Sequence, residues 1–222
     1  MSKESQGNRK GTMNDKKFMT AAILFGFSFS FLSAQEIIRQ NIDWRNIREA
    51  FKAYCQSPSI EKAKRILSVM PVEFDNRTAD FKEWVSTSDY IHEDEPFRVL
   101  ESLVRKGDEF AIRIAFRTLE ITDGAFTEDL CSLIAESIRV NPTAFLEEAK
   151  YLIDDNRKGH LLNRILNSDY DIDTLALEEN SPAQVEFRKE VQLRIKSLVT
   201  VTSSDLLSIR DICIGKLKGM LD

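Results

Sequence analysis

A chain of 222 residues with a formal net charge of −5 has no excess of cations and gathers no basic patch, which argues against binding to phosphate backbones. Hydrophobic residues make up 42% of it. That is enough for one core in residues 35–222, whereas two full domains would be cramped there.

Residues 1–34 carry the three-part pattern of an export signal. Lys16 and Lys17 give a positive start, FMTAAILFGFSFSFLSA gives an apolar middle, and Ser33 and Ala34 put small residues ahead of a cut between Ala34 and Gln35. Leu32 is bulkier than the usual residue at its place, and the stretch before Lys16 is long, so Met13 is an alternative start. An uncleaved anchor is the competing reading. Crossing the hydrocarbon core takes about 20 apolar residues, and the run from Phe18 to Ala34 is shorter and diluted by Thr20, Ser28, Ser30 and Ser33. No cysteine stands at the cut to take a lipid. The expectation is therefore a cleaved leader and a periplasmic or secreted protein without stable membrane insertion. With the leader's five cations and two acids gone, 26 Lys and Arg stand against 34 Asp and Glu, a net charge of −8.

Beyond the leader, apolar residues recur three and four apart and period-two alternation is missing, so helices are expected throughout. The spans read in order as 43–56, 58–70, 76–90, 95–106, 108–122, 126–140, 142–155, 159–167, 181–199 and 204–221. Pro58, Pro96, Pro142 and Pro182 follow Ser, Glu or Asn and open periodic runs, the first-turn position where a missing N–H costs nothing. Gly107, Gly124 and Gly159 fall between runs, where a left-handed residue ends a helix. The short connections imply antiparallel neighbours. In the run 108–121, Phe110, Ala111, Ile112, Ile114, Ala115, Phe116, Leu119 and Ile121 cover most of the circumference, which predicts a central helix packed on both sides. The stretch 168–182, SDYDIDTLALEENSP, reads as an acidic loop before two C-terminal helices that would cap the body. Cys55, Cys131 and Cys213 each continue an apolar stripe, so buried free thiols are expected, with one disulfide as the alternative.

A faint repeat runs through the middle. Laid on residues 135–165, residues 100–130 match Glu101, Ser102, Leu103 and Phe110 with Glu136, Ser137, Ile138 and Phe145, Phe116 with Tyr151, and Gly124 with Gly159. The opening prolines are similarly spaced, by about 40 residues. FRVLESLVRKGDEFAIRIAFRTLEITDG followed by LCSLIAESIRVNPTAFLEEAKYLI resembles a HEAT- or armadillo-type α-helical repeat. The resemblance implies antiparallel helix pairs stacked as a short α-solenoid, with an irregular helical bundle as the alternative. It carries no functional residue to transfer, only a bias toward binding.

Catalytic patterns are sparse. There is no GxSxG elbow, no cysteine with a histidine placed to activate it, and no phosphate-binding glycine loop. The run HEDEP, His92 to Pro96, could be a metal or general-acid cluster, but acids ahead of a proline-opened helix are expected to cap it and favour its dipole. His160 stands alone without zinc-ligand spacing. Asn167, Asp169, Asp171, Asp173 and Glu178 match five positions of a calcium loop, yet Ile172 replaces the glycine its sharp turn needs, so an acidic turn without metal is expected. Gly215 and Gly219 form a GxxxG pair, but Lys216 and Lys218 lie between them in an amphipathic run, which argues against a membrane dimer face. Arg113 and Arg117, one turn apart, are candidate partner contacts, with Glu109 and Glu120 beside them as self-neutralising neighbours.

These features point to a non-enzymatic helical-repeat protein without a cofactor that binds a protein or peptide partner. The alternative is an immunity- or inhibitor-type protein that neutralises a basic toxin or enzyme. Neither oligomeric state nor partner identity is written in the sequence.

Overall fold

The computed structural model describes residues 41–72, 74, 79–92, 94–122, 124–154, 159–168 and 181–221. The chain divides into Met1–Arg39 and a second unit, Gln40–Asp222, which holds all of them. The expected leader, residues 1–34, and most of the acidic segment 168–182 lie outside the described residues.

Within the second unit the described residues form ten α-helices and no strand. In order they are α1 Trp44–Gln56, α2 Ile60–Val69, α3 Phe81–His92, α4 Asp94–Arg105, α5 Glu109–Leu119, α6 Gly124–Val140, α7 Pro142–Asp154, α8 Gly159–Asn167, α9 Pro182–Val199 and α10 Leu207–Gly219. A 3-10 turn, Ser204–Leu206, precedes α10.

Helix starts are set locally by polar caps that satisfy free backbone donors. Asp43 accepts the Asn46 amide at 3.0 Å, Asp108 that of Ala111 at 2.8 Å, and Ser181 that of Gln184 at 3.2 Å. Pro142 and Pro182 open α7 and α9 as expected. Pro58 does not open α2, because Ser59 caps that helix and leaves the proline outside. Gly107 (φ 77°) and Gly124 (φ 56°) adopt the left-handed conformation, whereas Gly159 does not and simply opens α8.

Contacts arrange eight of the helices in two layers of four. In one layer α1 packs on α4, α4 on α6 and α6 on α9; in the other α2 packs on α5, α5 on α7 and α7 on α10. Each neighbouring pair, α1/α2, α4/α5, α6/α7 and α9/α10, is a hairpin. The two helices left over interrupt the series: α3 packs on α1 and α4, and α8 on α6, α7 and α10. The stacking leaves a signature in the side-chain bonds. Arg48 reaches Glu83, Trp84 the Ile121 carbonyl, Arg105 Glu136, Arg113 Glu147, and Asn141 the Gly107 carbonyl, all at separations of 31 to 37 residues.

The 35-residue internal match is this repeat, since it lays α4–α5 on α6–α7. The proline spacing is not. Pro58 and Pro142 precede or open α2 and α7 in one layer, while Pro96 and Pro182 lie in α4 and α9 of the other. Spacing alone cannot tell which layer a helix start belongs to.

One apolar core runs from Trp44 to Leu217. The helix expected at its centre, 108–121, corresponds to α5, and seven of its eleven residues are buried. The greater share of neighbours nevertheless belongs to α6, which touches α4, α5, α7, α8 and α9. Its longer apolar surface, including Leu130, Cys131, Leu133, Ile134 and Ile138, serves both layers.

The turn between α4 and α5 is the best-defined joint. Gly107 donates to Val104 at 2.8 Å and Asp108 to Leu103 at 3.1 Å, a Schellman cap that needs a left-handed residue. A Cβ on Gly107 would stand 3.2 Å from the Val140 carbonyl oxygen. Asn141, the single residue between α6 and α7, closes on this turn. Its Nδ2 donates to the Gly107 carbonyl at 2.9 Å while its Oδ1 caps α7 at Ala144, 3.1 Å away.

Candidate functional site

The layer formed by α2, α5, α7 and α10 presents a groove. Its floor is apolar because α5 and α7 meet there through Phe116 and Phe145, ring centroids 5.8 Å apart, with Leu67 and Leu152 alongside. A cavity of about 430 Å³ lies over this floor, walled by Val72, Arg113, Arg117, Glu120, Glu148 and Tyr151. A second of about 260 Å³ continues from Tyr151 over Lys150, Ile153, Asp205, Ser208, Ile209 and Ile212. Val72 is 68% exposed, Tyr151 62% and Ile212 38%, so the groove shows apolar surface to solvent. A third cavity, lined by Pro58, Val99, Leu103, Arg98 and Lys106, lies against α4.

Both arginines singled out in the sequence stand in the groove. Arg113 is the hub of an ion network, 2.6 Å from Glu109 on its own helix, 2.9 Å from Glu147 and 3.4 Å from Glu148 on α7. Its Nε is buried and, despite the nearness of Glu148, makes no hydrogen bond among the described residues. Burial opposes the Arg113 charge, yet the Glu147 hydrogen bond and the charges of Glu109 and Glu148 hold its pKa above the ordinary arginine value. Burial pushes the Glu148 carboxyl above the usual range, and Arg113 and Arg117 only partly offset it. Arg117 donates to the Pro71 carbonyl at 3.4 Å. The expected Glu109 pairing is therefore present. The larger contribution, Glu147 and Glu148, comes from the next hairpin, and only the 35-residue repeat could have pointed to it.

The other sequence candidates do not gather into a site. His92 ends α3, and its Nε2 lies 2.8 Å from Asp129 Oδ2 on α6, while its ring stacks on Phe126 with centroids 4.4 Å apart. This ties α3 to α6, a long-range partnership that the HEDEP motif does not reveal. Asp94 opens α4, with Pro96 inside its first turn. His160 is exposed as the second residue of α8. Asn167 ends α8 and is exposed, and Asp169, Asp171, Asp173 and Glu178 lie outside the described residues. Among the described residues no group of three or more His, Cys, Asp or Glu is placed to hold a metal, and no helix is long and apolar enough to cross a membrane.

The three cysteines are free. Burial pushes the thiols of Cys55 and Cys131 up to about 11 and that of Cys213 up to about 12, which leaves them protonated and poorly nucleophilic near neutral pH.

Compared with known proteins, the chain matches no family model, no curated sequence and no solved structure.

Proposed function

We infer that this chain is a non-enzymatic helical-repeat protein of the HEAT or armadillo type, exported to the periplasm or beyond, that binds a protein or peptide partner in the groove over α5, α7 and α10. The observation that carries this reading is the groove itself. Helices of neighbouring hairpins lie side by side, and Val72, Tyr151 and Ile212 stand exposed along them. Stacked helix pairs build extended surfaces of this kind for partners, and contiguous exposed apolar surface marks interaction sites more often than chance. Export rests on the leader pattern ahead of Gln35, and the non-enzymatic reading on the absence of a nucleophile–base or metal-ligand spacing in the sequence.

A photo-crosslinking side chain at Tyr151, introduced in the producing cell, tests the groove against the same group at Arg45, whose side chain is 82% exposed on α1. The expected result is one dominant adduct from position 151 and none from position 45. Equal or absent adducts would remove the groove as the binding face. Sequencing the N-terminus of the exported protein tests the leader, with Gln35 as the expected first residue.

A further inference from the structure

The two cavities share Tyr151 as a lining residue, so they lie side by side along a path from α5 across α7 to α10. Packed helix axes lie about 8–10 Å apart, which makes this path about 20 Å long, the span of about six residues of extended chain. A segment of polypeptide fits such a path better than a compact small molecule.

The polar groups along it are unequal in what they still lack. Its acids are engaged: Glu148 sits beside Arg113, Asp205 accepts the Ser203 hydroxyl at 2.6 Å, and Glu120 has a partner of its own. Arg113 is already paired with Glu109 and Glu147, both through one terminal nitrogen. Arg117 and Lys150 differ from these. The Arg117 guanidinium has one long bond to the Pro71 carbonyl, and the Lys150 ammonium lies 5.2 Å from the centre of the Tyr151 ring. Neither has a carboxylate within 4.0 Å among the described residues, although both are near enough to Glu148 to lower its pKa and Lys150 does the same to Asp205. Elsewhere arginines find carboxylate partners readily, as Arg48, Arg105, Arg139 and Arg164 do. In a chain with a surplus of acids, two such cations on either side of an exposed aromatic ring leave an unmet demand for negative charge.

We propose that the groove takes a partner segment in which an apolar side chain, seated over Tyr151 and Ile212, is flanked by Asp or Glu that pair with Arg117 and Lys150. This rests on the groove being the binding face. A basic segment would set like charges against both cations, and an uncharged one would leave their donors to water.

Random 12-residue peptides displayed on phage and selected on the purified native protein test this. The expected outcome is enrichment of peptides with Asp or Glu next to an aromatic or large aliphatic residue, eluted by salt. These should bind the doubly substituted Arg117→Glu, Lys150→Glu protein at least about tenfold more weakly, while that protein keeps a cooperative melt and the helical circular-dichroism spectrum of the parent. Enriched peptides that are basic or without charge preference, yet lose binding to Tyr151→Ala, would overturn the acidic specificity and leave the groove standing. Unchanged affinity for the Arg117→Glu, Lys150→Glu protein would do the same. No enrichment over a blank surface would overturn both.

Discussion

The seam joining α4, α6 and α9 and the seam joining α5, α7 and α10 are built from the same hairpins, yet among the described residues ion pairs span both steps of the first and only the α5–α7 step of the second. In the first, Arg105 of α4 bridges to Glu136 of α6, and Glu190 of α9 holds both Arg139 of α6 and Arg194 of its own helix. In the second, Phe116 packs on Phe145, but one repeat later the place of Phe116 is taken by Tyr151, which is exposed. Toward α10 the second seam has no ion pair among the described residues, and Tyr151 stands outside the core.

Substitutions can break this contrast at graded strength. Phe116→Ala should cost most, about 3–5 kcal/mol in a denaturant melt, since it empties the floor that both helices share; a loss below about 1 kcal/mol would make α5 peripheral. Glu190→Gln should follow with about 2 kcal/mol, because Arg194 is 1% exposed and loses a charged acceptor from among its partners. Arg139→Ala, at the exposed end of the same network, should cost under about 1 kcal/mol, and equal losses for the two would show that the Arg194 charge is met elsewhere. Asn141→Ala should cost about 1–2 kcal/mol, through the lost cap and the orphaned Gly107 carbonyl, with faster amide exchange at Gly107 as its mark.

The open seam should respond weakly. The raised Glu148 pKa means that the folded state prefers the protonated carboxyl. Its stabilising contribution is present below the ordinary carboxylate range and is lost as pH rises through the raised value. Glu148→Gln should therefore be neutral near pH 4 and gain less than about 1 kcal/mol at pH 7, read as the difference between two thermal melts. Tyr151→Ala should change stability by less than about 0.5 kcal/mol, the smallest effect; a larger one would place that ring in the fold and not in recognition.

Elements were legible in the sequence because each is decided locally. The span 142–155 needs only its apolar period and the Asn-Pro start to become Pro142–Asp154, and 159–167 became Gly159–Asn167. What period cannot fix is the register of one helix against another. Asp129 as the partner of His92, and Glu147 and Glu148 as partners of Arg113, arise only when hairpins stack. The interruptions by α3 and α8 were hidden for the same reason, since as isolated segments they look like any other amphipathic helix. Of the candidate site, Arg113 and Arg117 could be named in advance because they share a polar arc on one helix, whereas Tyr151, Lys150 and Ile212 come from two others.

The one-residue link at Asn141 also governs how the molecule would yield under tension. A stack of hairpins under load gives way where its joints are loosest, and the α6–α7 joint has no slack: α6 passes directly into α7, and the same side chain grips the preceding turn. Outer hairpins would peel away first, and the middle pair would be the last to part.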